Sequence, residues 1–305
     1  MMSGPTRVIL DTDIGTDVDD CLALGLILAS PELRLEGVTC VYGDVDLRAH
    51  MVAKLLRLRG VDGVPILRGA RTPLLGRRPV YWAGHEGEGL LEPNDAVPTF
   101  AEPAADYLIR TILENPGEIH LIAIGPLTNL ALAFLREPRL GAALRHLTIM
   151  GGALRGPETL GLPIAEHNVK CDPEAAHVVF RSGAPITVVP LDVTTRVQMR
   201  RAGAERIRAA GTAYHRAIAD QIDRYPPFQA RGETNLHDPL AVASVVAPEL
   251  VGLEPVRLDV ELNGEHTTGA TLMRAPSESL PANARVALRV DAPAFEEFVV
   301  ARLAS

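Results

Sequence analysis

The stretch Asp11-Thr12-Asp13-Ile14-Gly15-Thr16-Asp17-Val18-Asp19-Asp20 decides how this chain is read. It sets five aspartates within ten residues, directly after the apolar run Val8-Ile9-Leu10. That run reads as a short buried strand, and Cys21 to Ala29 reads as the body of a helix. The acids therefore fall on a strand-to-helix turn, where Gly15 is free to take a backbone geometry other residues avoid. So many carboxylates in one turn repel one another unless a cation shares them or some carry protons. Hard oxygen ligands suit Ca²⁺ or Mg²⁺ rather than zinc. Helix capping and the macrodipole explain two of the five acids at most. An EF-hand is excluded: the twelfth loop position counted from Asp11 is Leu22 rather than Glu, and a strand precedes the loop.

Outward from the turn, apolar strand-like runs alternate with amphipathic helices. Candidate strands are Arg7–Leu10, Leu35–Val41, Val64–Leu67, Ile119–Ile124, His146–Met150 and Ile186–Val189. Helical segments lie near Asp19–Ala29, Leu47–Arg59, Ala101–Asn115, Leu127–Arg136, Pro173–Ser182 and Ala202–Asp223. The alternation predicts an α/β fold, a mostly parallel open sheet flanked by helices. Val256–Leu262, Thr267–Met273 and Val286–Val290 read as a small antiparallel C-terminal extension closed by a helix over Ala292–Leu303. No linker interrupts the pattern, so residues 1–305 read as one domain. In such sheets ligands bind beyond the carboxyl ends of the strands, and the turns there should converge on the aspartates. The Gly- and Pro-rich stretch Gly69–Pro98 reads as a long functional loop.

Composition narrows the class of partner. A 47% hydrophobic content supports a substantial core, and 30 basic against 38 acidic residues argues against nucleic acid or an anionic membrane. Cys21, Cys40 and Cys171 are odd in number and far apart, as in a reduced, cytoplasmic protein. No apolar run reaches membrane-spanning length, and no signal-peptide core opens the sequence.

Further residues and pairs carry chemistry. His237 and Asp238 precede a helix that the sequence starts at Pro239. A carboxylate beside a histidine, added to an acidic metal turn, suggests a further ligand and a proton donor, with Asp238 as a plain N-cap the competing reading. Glu166 and Asn168 are two apart, so in an extended segment both would point the same way and could grip adjacent sugar hydroxyls. Asp172-Pro173 reads as a helix cap. Thr128 opens a helix, offering either its carbonyl to a cation or its hydroxyl to the helix. His85 lies in the long loop, within Gly84-His85-Glu86-Gly87, where a lid would be. A phosphatase of the aspartyl-phosphate type also begins strand-Asp-x-Asp, but it needs a late phosphate-binding lysine, and the last lysine here is Lys170.

Together these pieces resemble the inosine–uridine-preferring nucleoside hydrolases over nearly the whole chain. The resemblance rests on the N-terminal aspartate turn, Gly125-Pro126-Leu127-Thr128-Asn129, Met150-Gly151-Gly152, Glu166-His167-Asn168, Asp172-Pro173-Glu174-Ala175-Ala176 and His237-Asp238-Pro239-Leu240-Ala241. It implies hydrolysis of the N-glycosidic bond of ribonucleosides to free base and ribose, in salvage, with one Ca²⁺. Asp13, Asp20, Asp238 and the carbonyl of Thr128 would bind the metal, Asp13 doubling as general base and His237 serving as acid to the leaving base. Asp19, Asp44, His85, Glu166 and Asn168 would hold the substrate. Homodimers or homotetramers are common in the family. The chain departs from the family pattern by two extra residues between Gly15 and Asp19-Asp20, by Asp44 where Asn is common, and by Leu160 where a sugar-binding Asn is usual. The departures leave two alternatives: a hydrolase of a different or modified N-riboside, and a calcium-dependent nucleoside or sugar binder without turnover. Tyr225 and Phe228 are candidates for the base pocket, with helix-end packing the competing reading.

Overall fold

The structure is a computed structural model that describes residues 4–96, 100, 102–155 and 161–305. Its first half alternates β1 (Thr6–Thr12), α1 (Asp19–Leu28), β2 (Leu33–Cys40), α2 (Val45–Arg59), β3 (Ile66–Arg68), α3 (Ala104–Glu114), β4 (Ile119–Ala123), α4 (Thr128–Arg136), α5 (Leu140–Ala143) and β5 (His146–Met150). The second half contributes α6 (His167–Cys171), α7 (Pro173–Phe180), β6 (Ile186–Val189), α8 (Leu191–Thr194), β7 (Gln198–Arg200), α9 (Arg201–Ala209), α10 (Ala213–Arg224), α11 (Pro226–Arg231), β8 (Glu233–Asn235) and α12 (His237–Val246). Strands β9 (Val251–Val260), β10 (Thr271–Arg274) and β11 (Ala284–Val290) and the helix α13 (Ala292–Leu303) complete it.

One nine-stranded sheet runs β10-β9-β11-β6-β5-β4-β1-β2-β3. Strands β1 to β6 pair in parallel, and β11 also joins β6 in parallel, while β9 and β10 are antiparallel. The C-terminal strands thus prolong the main sheet rather than forming a separate layer. The chain winds from β1 toward β2 and β3 on one side and from β4 toward β6 on the other. The reversal puts a crevice at the carboxyl ends of β1 and β4, where ligands bind in open parallel sheets.

Alternation along β1 sends its residues to two cores. Val8 and Leu10 join the cluster beneath α1, α2, α10 and α12, and Ile9 joins the one beneath α3, α4 and α7. At the end of the strand the apolar pattern stops, and Asp11, Thr12 and Asp13 are all buried. Gly15 then turns the chain with φ +121°, and a Cβ there would meet the Met51 sulfur at 2.8 Å. The φ strains any side chain at this position, and Met51 would also have to shift to admit one.

Several local expectations are corrected. Ala202–Asp223 is not one helix: it breaks into α9 and α10 at Gly211, which has φ +81°. Glu166 and Asn168 are not extended neighbours, because Glu166 caps α6 and Asn168 lies inside it. His237 and Asp238 do not precede a helix but form the first turn of α12, so Asp238 is not its N-cap. The ribbon β7–β8 is a further element. The long loop is held at many points: Leu74 N–H donates to Asp172 at 2.6 Å, Arg78 pairs with Glu174 at 2.5 Å, and Lys54 pairs with Asp95 at 2.9 Å.

Candidate active site

The carboxyl ends of the central strands open into a crevice of about 640 Å³. Asp13, Asp19, Asp20, His85, Glu166, Asn168, His237 and Asp238 all line it, gathering eight of the ten residues expected to act. They come from distant stretches: the β1–α1 turn, the long loop, the start of α6 and the start of α12.

At its base Asp19, Asp20 and Asp238 bring carboxylate oxygens within 4.8 Å of one another, all three residues buried. Thr12 Oγ1 donates to Asp20 Oδ1 at 2.5 Å, and the Asp238 N–H donates to Asp19 Oδ2 at 3.2 Å. Burial first, then the neighbouring carboxylates, pushes all three well above the usual carboxylate range. Asp13 is raised by the same burial, against the opposing pull of Arg48. Asp11, deeper still, is pushed up to about 7 by burial, although Thr39 and Asn129 donate to its Oδ1. Such a group of acids holds protons or shares a cation. Three adjacent hard oxygens fit a hard divalent cation, and Asp19, which the family resemblance places on the ribose beside the metal, lies in this trio.

Two expected residues stand apart from the crevice lining. Asp44 caps α2, accepting from the N–H groups of Asp46 and Leu47, and pairs with Arg71 at 3.3 Å. Its side chain is half exposed, so it belongs to a surface ion network. Thr128 is buried at the start of α4, and its hydroxyl donates to Asp172 Oδ2 at 2.6 Å. Asp172 also caps α7, as the sequence suggested, and so ties α4, α7 and the long loop together. Leu160 lies outside the described residues.

Glu166 Oε1 and Oε2 accept three backbone N–H groups, from Gly152, Asn168 and Val169, which fixes the carboxylate against the crevice. Asn168 donates to the carbonyl of Ile124 at 2.8 Å, and among the described residues nothing donates to its own oxygen. His237 Nδ1 lies 2.7 Å from Thr194 Oγ1, and burial lowers its pKa, so the ring is neutral at pH 7. Tyr225 lines the crevice, whereas Phe228 is fully buried in the core. The lone Trp82 sits outside the lining, its ring 5.0 Å from the Arg48 guanidinium.

Arg48 was not foreseen. It is fully buried, and it donates from Nε to the Tyr42 carbonyl at 2.6 Å and from Nη1 to the carbonyls of Asp13 and Ile14. The aspartate turn therefore keeps its shape around a guanidinium. The signal was present: Val45, Arg48, Ala49, Val52, Leu55 and Leu56 form the buried stripe of α2, and an arginine on such a stripe needs internal acceptors. His167 was also missed. It lines the crevice between two functional neighbours, and its pKa rises to about 9: burial opposes this, but contact with Cys171 and the charges of Asp13 and Glu166 outweigh it.

Solved structures share this architecture from end to end. A purine-preferring ribonucleoside hydrolase from Gardnerella vaginalis superimposes with a TM-score of 0.86 at 29% identity, covering 98% of each chain. A plant nucleoside hydrolase, PpNRh1, gives 0.84 at 29% identity over 99% of each. The non-specific ribonucleoside hydrolase RihC of Salmonella enteritidis is 36% identical over 98% of this chain and 97% of its own. The fold and its acidic crevice are those of an enzyme that hydrolyses ribonucleoside N-glycosidic bonds. Residues 8–297 match one family throughout, and the chain belongs to it: the inosine-uridine preferring nucleoside hydrolases.

Proposed function

We propose that this hydrolase is calcium-dependent, cleaving ribonucleosides to base and ribose for salvage in a reduced cytoplasm. The observation that carries the proposal is the buried trio Asp19, Asp20 and Asp238 lying in one crevice with Asp13 and His237. These three, with Asp13 alongside, would hold the ion. When bound, a divalent ion of this kind orients a vicinal diol and makes water more acidic. Three free, buried cysteines support the reduced compartment.

The remaining work falls to the chain's own groups. Breaking a glycosidic bond builds positive charge on the ring, and the carboxylates of Asp13, Asp19 and Glu166 stabilise it electrostatically. Asp13, its backbone fixed by Arg48, takes a proton from the attacking water. Glu166 and Asn168 orient the sugar from the opposite wall. In the tautomer whose Nδ1 accepts from Thr194, the proton of neutral His237 sits on Nε2 and is available to the departing base. His85 lies over the mouth, its Nε2 held by the Thr16 carbonyl at 3.1 Å.

Reducing-sugar release from a panel of ribonucleosides tests the proposal, using protein stripped with chelator and then given Ca²⁺, Mg²⁺ or Zn²⁺. Activity restored by Ca²⁺ is expected. Full activity in the stripped protein defeats the calcium requirement, and tight nucleoside binding without sugar release defeats the catalytic role.

A further inference from the structure

The crevice has two unlike walls. One carries Tyr81, Glu166, His167 and Asn168, with the Tyr81 and His167 rings 5.9 Å apart. The other carries Tyr225, Pro226 and Pro227 with His85, whose ring lies 6.4 Å from that of Tyr225. With a ribose diol at the acid trio, as proposed above, the leaving base points to the second wall. His237 serves that side, and a tyrosine beside two prolines offers flat apolar surface to a planar heterocycle.

The polar groups of this wall are already committed. Tyr225 has a single proton, and its hydroxyl donates it to Asp17 Oδ2 at 2.6 Å. Only lone pairs remain on that oxygen. Burial, and then the Asp17 charge beside it, raises the pKa of Tyr225, so the phenol stays protonated. His85 Nε2 faces the Thr16 carbonyl, which can only accept, so that nitrogen donates and is spent on the turn. Both anchors, Thr16 and Asp17, lie in the segment lengthened by two residues between Gly15 and Asp19. Thr16 is itself held, donating to Glu86 at 3.1 Å and accepting from Arg48 at 3.3 Å. The lengthened turn therefore presents the base with an acceptor oxygen, that of Tyr225, backed by a carboxylate.

We propose that Asp17 and Tyr225 form a base-reading pair that favours ribonucleosides turning an exocyclic amino group, rather than a carbonyl, toward this wall. An amino group donates to the Tyr225 oxygen, whereas a carbonyl meets its lone pairs and leaves both oxygens without a donor. Tyr225 touches the base and reads it; Asp17 acts through Tyr225 and is a positioning residue. The inference rests on the placement of the ribose given under the proposed function.

The test is kcat/KM for cytidine against uridine and for adenosine against inosine, in the unaltered protein and in Tyr225→Phe and Asp17→Asn. Intrinsic leaving ability differs within each pair, so the decisive quantity is how the amino-to-oxo ratio changes between proteins. Tyr225→Phe should lower the ratio about tenfold in both pairs, the usual worth of one hydrogen bond in discrimination. Asp17→Asn should lower it too, because a carboxamide can donate to the Tyr225 oxygen and free its proton for a carbonyl. Ratios unchanged or raised in both variants overturn the pair. If no nucleoside is cleaved, the catalytic reading fails, and the pair is judged on dissociation constants of the same four nucleosides for Ca²⁺-loaded protein. The same fall in ratio supports it there, and its absence overturns it.

Discussion

Binding of a divalent cation should expel protons from the crevice. In cation-free protein the ligand oxygens of Asp19, Asp20 and Asp238 lie within 4.8 Å of one another and are buried. Two charged carboxylates at that separation repel by about 3.5 kcal/mol at an effective dielectric of about 20. That repulsion adds to the burial that already raises all three, so three full charges do not coexist at pH 7. On the order of one proton remains bound, and a cation displaces it. Chelator-stripped protein titrated with CaCl₂ in weak buffer, with proton release read by electrode, should yield roughly one proton per ion at pH 7. At 100 times Kd the ion should stabilise the fold by about 2.7 kcal/mol, raising Tm by roughly 5 °C. The sign with pH follows from pKa values raised in the folded state. The cost is present above the folded value, near 7 for Asp11, and gone below the ordinary value near 4. Cation-free protein should therefore gain stability as pH falls toward 4, Asp11 contributing between about pH 7 and 4, while cation affinity falls. Saturation by Ca²⁺ without proton release, or without any shift in Tm, would refute the reasoning.

Other perturbations separate the roles of single residues. Asp13→Asn should keep the fold by circular dichroism and lower kcat by roughly 10²–10⁴, the usual effect of losing a positioned base; near-normal turnover removes that role. His237→Ala should harm natural nucleosides far more than an activated nitrophenyl riboside, and equal losses on both would rule out the acid assignment. Arg48→Met leaves the carbonyls of Asp13, Ile14 and Tyr42 without their donor and should cost about 3–5 kcal/mol in urea unfolding, where a loss below about 1 kcal/mol contradicts the account. Burial first, and then His146, lowers the pKa of His120 to about 3, so the unfolded chain takes up a proton first as pH falls. In Ca²⁺-saturated protein this should cost about 2 kcal/mol at pH 5, with the loss spread between about pH 6.5 and 3, and His120→Asn should flatten that limb.

Much of the scaffold was legible because parallel strands covered on both faces read as unbroken apolar runs, as Val8–Leu10 and Ile119–Ile124 do. The aspartate turn was legible because acids so dense have few structural uses. What escaped depends on tertiary partners. Asp44 is an acid beside a glycine turn in either role, and only its contacts with Arg71 and the α2 amides make it a surface cap. The five-residue α6 is too short to show a period, so Glu166 and Asn168 looked extended. Gly211 inside a helical pattern gave too little warning of the break between α9 and α10. Tyr225 was visible as an aromatic, but its engagement with Asp17, 208 residues away, was not.

Arg48 has one more consequence. A guanidinium keeps its charge at any working pH and cannot diffuse away, unlike an exchangeable ion. Clamped to three carbonyls beneath the acids, it serves as a permanent counter-ion when the site is emptied. Stripping the protein of any bound cation should thus leave a standing receptacle that refills without refolding.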